Sequence, residues 1–250
     1  MKFKGKCVIY IGGFGGIGQK CIEELLEEEI GHMFIFDVVT NNEYLDKFQK
    51  EFPISKIEFV PVDMSKVETI ENAYTIVMDK IGHIDIVING SGILNERLID
   101  LTVAVNLTGV IHSNVIALNH MSKANGGLGG IIVNIASVAG LEPMAIAAVY
   151  SATKSAVISF SKSMANPCYY EHTGVSFITI CPGSTTTNII RDLSLKSTFP
   201  QYYEEITATM ENHSKQSPEK LAKAFVRILE IADNGTLWTV VGGKFEKVDE

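Results

Sequence analysis

The chain has 250 residues, 46% of them apolar and 20% charged, with a net charge of −8. That length is enough for one large domain with a full core, and that balance excludes a largely disordered chain. No Lys/Arg-rich stretch stands out in this acidic chain, which argues against nucleic acid or an anionic membrane surface as a partner.

In chain order, the first predicted element is a strand over 7–11. Met1-Lys2-Phe3-Lys4-Gly5-Lys6 ahead of this apolar run has a secretion-signal look. The run is too short, glycines interrupt it, and no small-residue cleavage site follows. Next comes Gly12-Gly13-Phe14-Gly15-Gly16-Ile17-Gly18, opening a predicted helix near 17–30. It satisfies G-x-x-x-G-x-G through Gly12, Gly16 and Gly18, and G-x-G-x-x-G through Gly13, Gly15 and Gly18. Between a strand and a helix, such glycines let the backbone approach a pyrophosphate, whose charge faces the helix N-terminus. A merely structural turn would not need so many, so this loop predicts dinucleotide binding.

A second strand over 33–37 ends on Asp37, whose carboxylate can accept hydrogen bonds from the ribose hydroxyls and repels a 2′-phosphate. No Arg or Lys lies within 12–18, and Val38 and Val39 follow Asp37, so the expected cofactor is NAD rather than NADP. A helix near 43–51 leads to a strand over 57–62, followed by Asp63-Met64, which could meet the adenine edge. A helix near 67–81 precedes a strand over 84–89 and the turn Asn89-Gly90-Ser91-Gly92, small enough for close backbone approach. Open parallel sheets bind ligands at the carboxyl ends of their strands, and each of these pieces falls at such an end.

A long helix near 97–123 carries Asn106, a polar group that costs stability in an apolar helix unless it is hydrogen-bonded. A strand over 131–136 is followed by Ser137, and a helix near 149–166 opens with Tyr150-Ser151-Ala152-Thr153-Lys154. A spacing of four puts Lys154 one turn from Tyr150 on the same helix face. An ammonium there favours the phenolate, which lets the tyrosine serve as a base. Taken alone, Tyr-x-x-x-Lys fits a surface helix equally well; its position after Ser137 gives it weight. The last strands are predicted over 175–181 and 237–241, with a helix near 217–232 between them. Pro182-Gly183 breaks the chain after the first of these, before Ser184-Thr185-Thr186-Thr187.

The stretch 184–218 mixes turn residues and charges with isolated Phe199, Tyr202, Tyr203, Ile206 and Met210. It reads either as a substrate loop or as a surface excursion with short helices. Strands that are apolar throughout and alternate with helices predict a doubly wound parallel α/β sheet in a single domain spanning 1–250. No apolar stretch reaches membrane-spanning length without a charge or breaker. Cys7, Cys21, Cys168 and Cys181 show no C-x-x-C spacing, which fits a reduced cytoplasmic protein. No metal site is expected.

With these residues in place the chain resembles the short-chain dehydrogenase/reductase family over nearly its whole length. The family's glycine motif matches Gly12, Gly16 and Gly18, and its N-A-G motif appears as Asn89-Gly90-Ser91-Gly92, a mild departure. Its tetrad falls on Asn106, Ser137, Tyr150 and Lys154, and its Pro-Gly motif on Pro182, Gly183 and Thr187. The insect-type alcohol dehydrogenases are most similar, through 13–18, the link 92–94, 126–132 and 234–238; the animal 15-hydroxyprostaglandin dehydrogenases share several of these features.

The resemblance implies a single-domain Rossmann fold with seven parallel strands and helices on both faces. It implies Tyr150 as acid/base, Lys154 on the nicotinamide ribose, Ser137 on the substrate oxygen and Asn106 holding a relay water. Thr187 and the backbone after Pro182 would orient the carboxamide. Substrate walls are expected from Leu94, from 141–148 and from 184–210, with Leu141, Pro143, Met144, Ile189, Ile190, Leu193 and Phe199 making them apolar. Some of these side chains could instead be core. The walls suit an apolar alcohol or ketone, from a short secondary alcohol to a prostaglandin, steroid or isoprenoid; Arg191 and Lys196 keep a phosphorylated substrate open. A cofactor-binding relative with little or no catalysis is the competing class, and four intact tetrad positions favour the enzyme. The family's habit of pairing the two long helices implies a homodimer. Ser151, Ser155, Ser159 and Ser163, recurring every four residues, are a hint of close helix approach.

Overall fold

The computed structural model describes residues 3–209 and 215–249, so Met210 and Glu250 lie outside the described residues. Strand β1 (Cys7–Ile11) is apolar and buried at every position, a pattern that belongs to a central strand covered on both faces. Parallel to it lie β2 (His32–Asp37) on one side and β4 (Ile86–Asn89) on the other. β3 (Lys56–Pro61) extends the first side, and β5 (Gly130–Ile135), β6 (Val175–Pro182) and β7 (Leu237–Val241) extend the second. Among the described residues the sheet has eight strands in the order β3-β2-β1-β4-β5-β6-β7-β8, the last being Lys244–Lys247. The strand order reverses between β1 and β4, and a crevice opens at their carboxyl ends.

The eighth strand extends the seven expected. β8 (Lys244–Lys247) folds back antiparallel on β7. Gly242 and Gly243 both take positive φ between them, the conformation a tight hairpin needs. The Lys-Phe-Glu-Lys run is short, charged and at the sheet edge, so it carries no buried-strand pattern.

In chain order the helices are α1 (Gly16–Glu27), α2 (Asn42–Glu51), α3 (Val67–Ile81), α4 (Ile99–Val103), α5 (Gly109–Met121), α6 (Ala148–Met164), α7 (Pro167–Thr173), α8 (Leu193–Lys196), α9 (Tyr203–Thr209) and α10 (Pro218–Ile231). One core joins α1 and α10 to the sheet through Cys21, Ile22, Leu25, Leu221 and Phe225 against Val8, Tyr10 and Ile35. The other joins α3 and α5 to the opposite face through Ile70, Tyr74, Val77 and Ala117 against Ile9, Ile11 and Phe34. The alternation along β1 and β2 thus supplies both cores from the same strands.

The long helix predicted near 97–123 is two α-helices joined by a π-helical turn, Ala104–Thr108, which contains Asn106. Ile99–Met121 is long and apolar enough to cross a membrane by length and composition. Here it packs on the sheet through Val110, Ala117 and Met121 and buries Asn106, Ser113 and Asn114. The described part of 184–218 is a chain of short helical turns. Its two ends are tied together, since Gln216 N donates to Ser184 O (2.9 Å) and Thr186 N to Gln216 O (2.9 Å).

Candidate active site

The site grows from strand ends. β1 runs into the glycine loop, where Gly12 has φ +77° and a Cβ would stand 2.7 Å from the Ser91 backbone. The loop after β1 and the turn after β4 therefore touch, and only glycine fits between them. A Cβ on Gly16 would meet Thr187 Cγ2 at 2.8 Å, so the stretch after β6 also closes on this loop. Helix α1 has no side-chain cap, and its first-turn amides remain available to an anion. Asp37 at the end of β2 accepts from Phe14 N (2.9 Å) and Val38 N (2.8 Å), which places its carboxylate beside the glycine loop. The Ser91 hydroxyl is buried with no hydrogen-bond partner in this cradle. A dinucleotide fits these donors, this close approach and this carboxylate.

Asp63 has a narrower place. Its carboxylate accepts from the Ser65 amide (3.0 Å) and hydroxyl (2.6 Å) and pairs with Lys66. The Ser65 hydroxyl is the main influence pulling its pKa below the usual carboxylate range. Met64 is buried in the core that contains α3 and α5.

A cavity of about 630 Å³ opens beside the cradle. Ile17, Gly90, Ser91, Ser137, Tyr150, Lys154, Pro182, Gly183 and Thr187 all line it, as do the predicted wall residues Leu94, Met144 and Ile189. Leu141, Ile190 and Leu193 line it too. Pro143 and Phe199 do not; Phe199 is exposed and packs edge-on against Tyr202. Thr239 and Val241 of β7 and Lys215 are also among its lining residues. Thr239 and Val241 were not legible because pairing with β6, not sequence proximity, brings β7 to the site, whereas Lys215 lies in the predicted 184–218 loop.

Tyr150 and Lys154 share a face of α6 as their spacing predicts, and Ser137, just after β5, meets the phenol. Burial drives the Tyr150 phenol up to about 12, against a hydrogen bond to Ser137 that holds it down. Ser137 Oγ accepts from Ala139 N (3.1 Å), which leaves its own proton to donate. Burial pushes the Lys154 ammonium down to about 8. Its Nζ donates to Ile135 O (2.9 Å) and lies 5.6 Å from the Tyr150 ring centre. The sequence anticipates a lysine lowering the phenol's pKa; in this structure burial dominates, and the influence opposing it is the Ser137 hydrogen bond rather than Lys154.

Asn106 is fully buried, and its amide is already engaged. Oδ1 accepts from Ile93 N (2.8 Å) and Nδ2 donates to Ile93 O (2.8 Å). It thereby pins the link that carries Leu94. Gly92 lies between Asn106 and Lys154, since a Cβ there would stand 3.5 Å from Asn106 Oδ1 and from Lys154 Nζ. The first half of the serine stripe faces the site's own loop, since Ser151 Oγ accepts from Met144 N (3.0 Å) and Ser155 Oγ donates to Gly140 O (2.6 Å), while Ser159 and Ser163 are exposed.

Comparison with known proteins agrees with this geometry. The model of the short chain dehydrogenase family matches residues 6–197. Alcohol dehydrogenase 1 of Ceratitis capitata is 38% identical, over 99% of this chain and 96% of its own length. Fat body protein 2 of Drosophila melanogaster is 35% identical, over 98% of this chain and 95% of its own. Among solved structures, levodione reductase superposes with a TM-score of 0.81 at 22% identity, covering 96% of this chain and 98% of its own. A glycine cradle at the sheet's switch point, a Ser–Tyr–Lys cluster beside it and these full-length matches lead to one assignment: the chain belongs to the short-chain dehydrogenase family.

Proposed function

We propose that this protein is an NAD-dependent alcohol dehydrogenase that interconverts a secondary alcohol of apolar body and its ketone. The observation that carries this reading is the buried Tyr150 phenol, hydrogen-bonded to Ser137 with Lys154 on the same helix face, in a cavity that adjoins the dinucleotide cradle. Similarity to the insect alcohol dehydrogenases supports the substrate class.

The cradle fits NAD through the glycine loop, the amides of α1 and Asp37. When bound, the nicotinamide supplies the hydride acceptor. Ser137 donates to the substrate oxygen and steadies charge developing there. Tyr150 takes the alcohol proton, or returns it in the reverse direction, and this needs its pKa brought down from about 12 towards working pH. Lys154 supplies the nearby positive charge for that shift. Asn106 holds the 92–94 link in place beside Lys154 and so supports a proton path past Gly92. Leu94, Met144, Ile189 and Leu193 exclude water and grip an apolar substrate. Asp37 favours NAD over NADP by repelling a 2′-phosphate.

Exposed Leu98, Ile99, Leu101 and Val115 on the α4–α5 helix support a homodimer through this face. All four cysteines are free, in keeping with a reducing cytoplasm. The test is to supply purified protein with a graded panel of secondary alcohols and either NAD⁺ or NADP⁺. NADH formation with several apolar alcohols, and a large preference for NAD⁺, is the expected result. A preference for NADP⁺ would reject the role of Asp37.

A further inference from the structure

Helix α6 carries both Tyr150 and Lys154, yet its N-terminus has no cap of its own: Ala147 occupies the capping position and has no side chain that can accept. The missing acceptor comes from Glu96, some fifty residues earlier in the link after β4. Glu96 Oε2 accepts from Val149 N (2.6 Å) and Oε1 from Tyr150 N (3.0 Å). Glu96 is 6% exposed, and among the described residues it forms no ion pair. A buried charge without a cationic partner is costly, and the helix N-terminal amides and dipole are what stabilise it here.

The same carboxylate reaches the stretch before α9. Thr198 Oγ1 donates to Glu96 Oε2 (3.2 Å) and accepts from Ala148 N (3.3 Å). Backbone bonds run alongside: Glu96 N donates to Lys196 O (2.9 Å) and Thr198 N to Ile146 O (3.1 Å). Three walls of the cavity are joined at this one side chain. They are the link bearing Leu94, the helix bearing Tyr150, and the segment bearing Ile189 and Leu193.

We propose that Glu96 is a positioning residue: its carboxylate sets the position of Tyr150 by holding that residue's own amide, and it ties the substrate wall to the tyrosine through Thr198. Substrate selection and proton transfer are thereby coupled through one buried carboxylate. The inference rests on Tyr150 as the proton-transfer group.

The test uses the full-length protein and three variants, with thermal unfolding, NADH affinity, kcat and KM read for a compact and a long apolar alcohol. Glu96→Gln keeps the shape but turns an amide N–H₂ towards a backbone donor. It is expected to bind NADH within about twofold of wild type while kcat falls at least about tenfold, because small misplacements of a reacting group are costly. Thr198→Val keeps Glu96 on the helix and the two backbone bonds in place but removes the side-chain tie between the carboxylate and the wall. It is expected to retain kcat on the compact alcohol and to change the compact-to-long preference in kcat/KM at least about tenfold, the range a reshaped apolar pocket gives. A folded Glu96→Gln with wild-type kcat and preference overturns the inference, as does a loss confined to NADH affinity. If Glu96→Gln does not fold, an unchanged preference in Thr198→Val overturns it. Tyr150→Phe with wild-type turnover would instead remove the assignment on which the inference rests.

Discussion

Tyr150 and Lys154 are each held in the form that is less useful to them when alone. Burial keeps the phenol protonated, with a pKa near 12, and makes the ammonium easier to lose, with a pKa near 8. Lowering Lys154 from 10.5 to about 8 corresponds to about 3 kcal/mol against burying its charge at neutral pH. Between those two values the unfolded chain binds more protons at this site, so the lysine's contribution to stability rises with pH. Cys7, Cys21 and Cys181, pushed up to about 12 by burial, act in the opposite sense above their ordinary value of 9.0. The measurement is therefore a difference between wild type and Lys154→Met. Without cofactor, wild-type stability relative to the variant should improve by about 3 kcal/mol as pH rises from 8 through 10.5, in denaturant titrations. A constant difference would contradict the burial of a charged amine. Spacing put Tyr150 and Lys154 on one helix face, because four residues make about one helical turn, but only the strand-end positions of Ser137 and the glycines made the pair legible as a site. Glu96 was not, because its partners are amides of a distant helix and amides leave no mark in a sequence.

At the scale of elements, the polar Asn106 had a predicted cost and the structure shows how it is met. Its amide completes the Ile93 backbone from within a π-helical turn. Asn106→Ala leaves the half-buried Ile93 N–H and C=O without this partner, and the expected loss is about 1 to 2 kcal/mol in chemical denaturation. Activity should fall with it, since the link carrying Leu94 loses its anchor; unchanged stability would show that the Ile93 groups find other partners. The strand-to-helix order was readable because strands covered on both faces are apolar throughout. The π turn was not, because an extra residue in one helical turn leaves the apolar pattern nearly unchanged. β8 escaped for a related reason: a short charged edge strand is specified by the Gly242-Gly243 turn and its pairing with β7, not by a buried face.

At the scale of the whole molecule, the crevice at the strand ends and the cavity beside it lie away from several exposed apolar side chains on α4 and α5. Leu98, Ile99 and Leu101 around the start of α4 and Val115 on α5 are exposed apolar side chains that the proposed homodimer would cover. Light scattering should give twice the chain mass, and Leu101→Glu should halve it; a monomeric wild type would remove the dimer. The central claim is that the cavity beside the cradle transfers a proton through Tyr150 as hydride moves to NAD⁺. Tyr150→Phe tests it directly, because the ring stays and only the hydroxyl leaves. The account predicts NADH binding within about threefold of wild type and turnover down by about 100-fold or more, the range set by loss of a general acid–base group. Turnover of the variant near the wild-type rate, on an alcohol that the wild type oxidises, would contradict it.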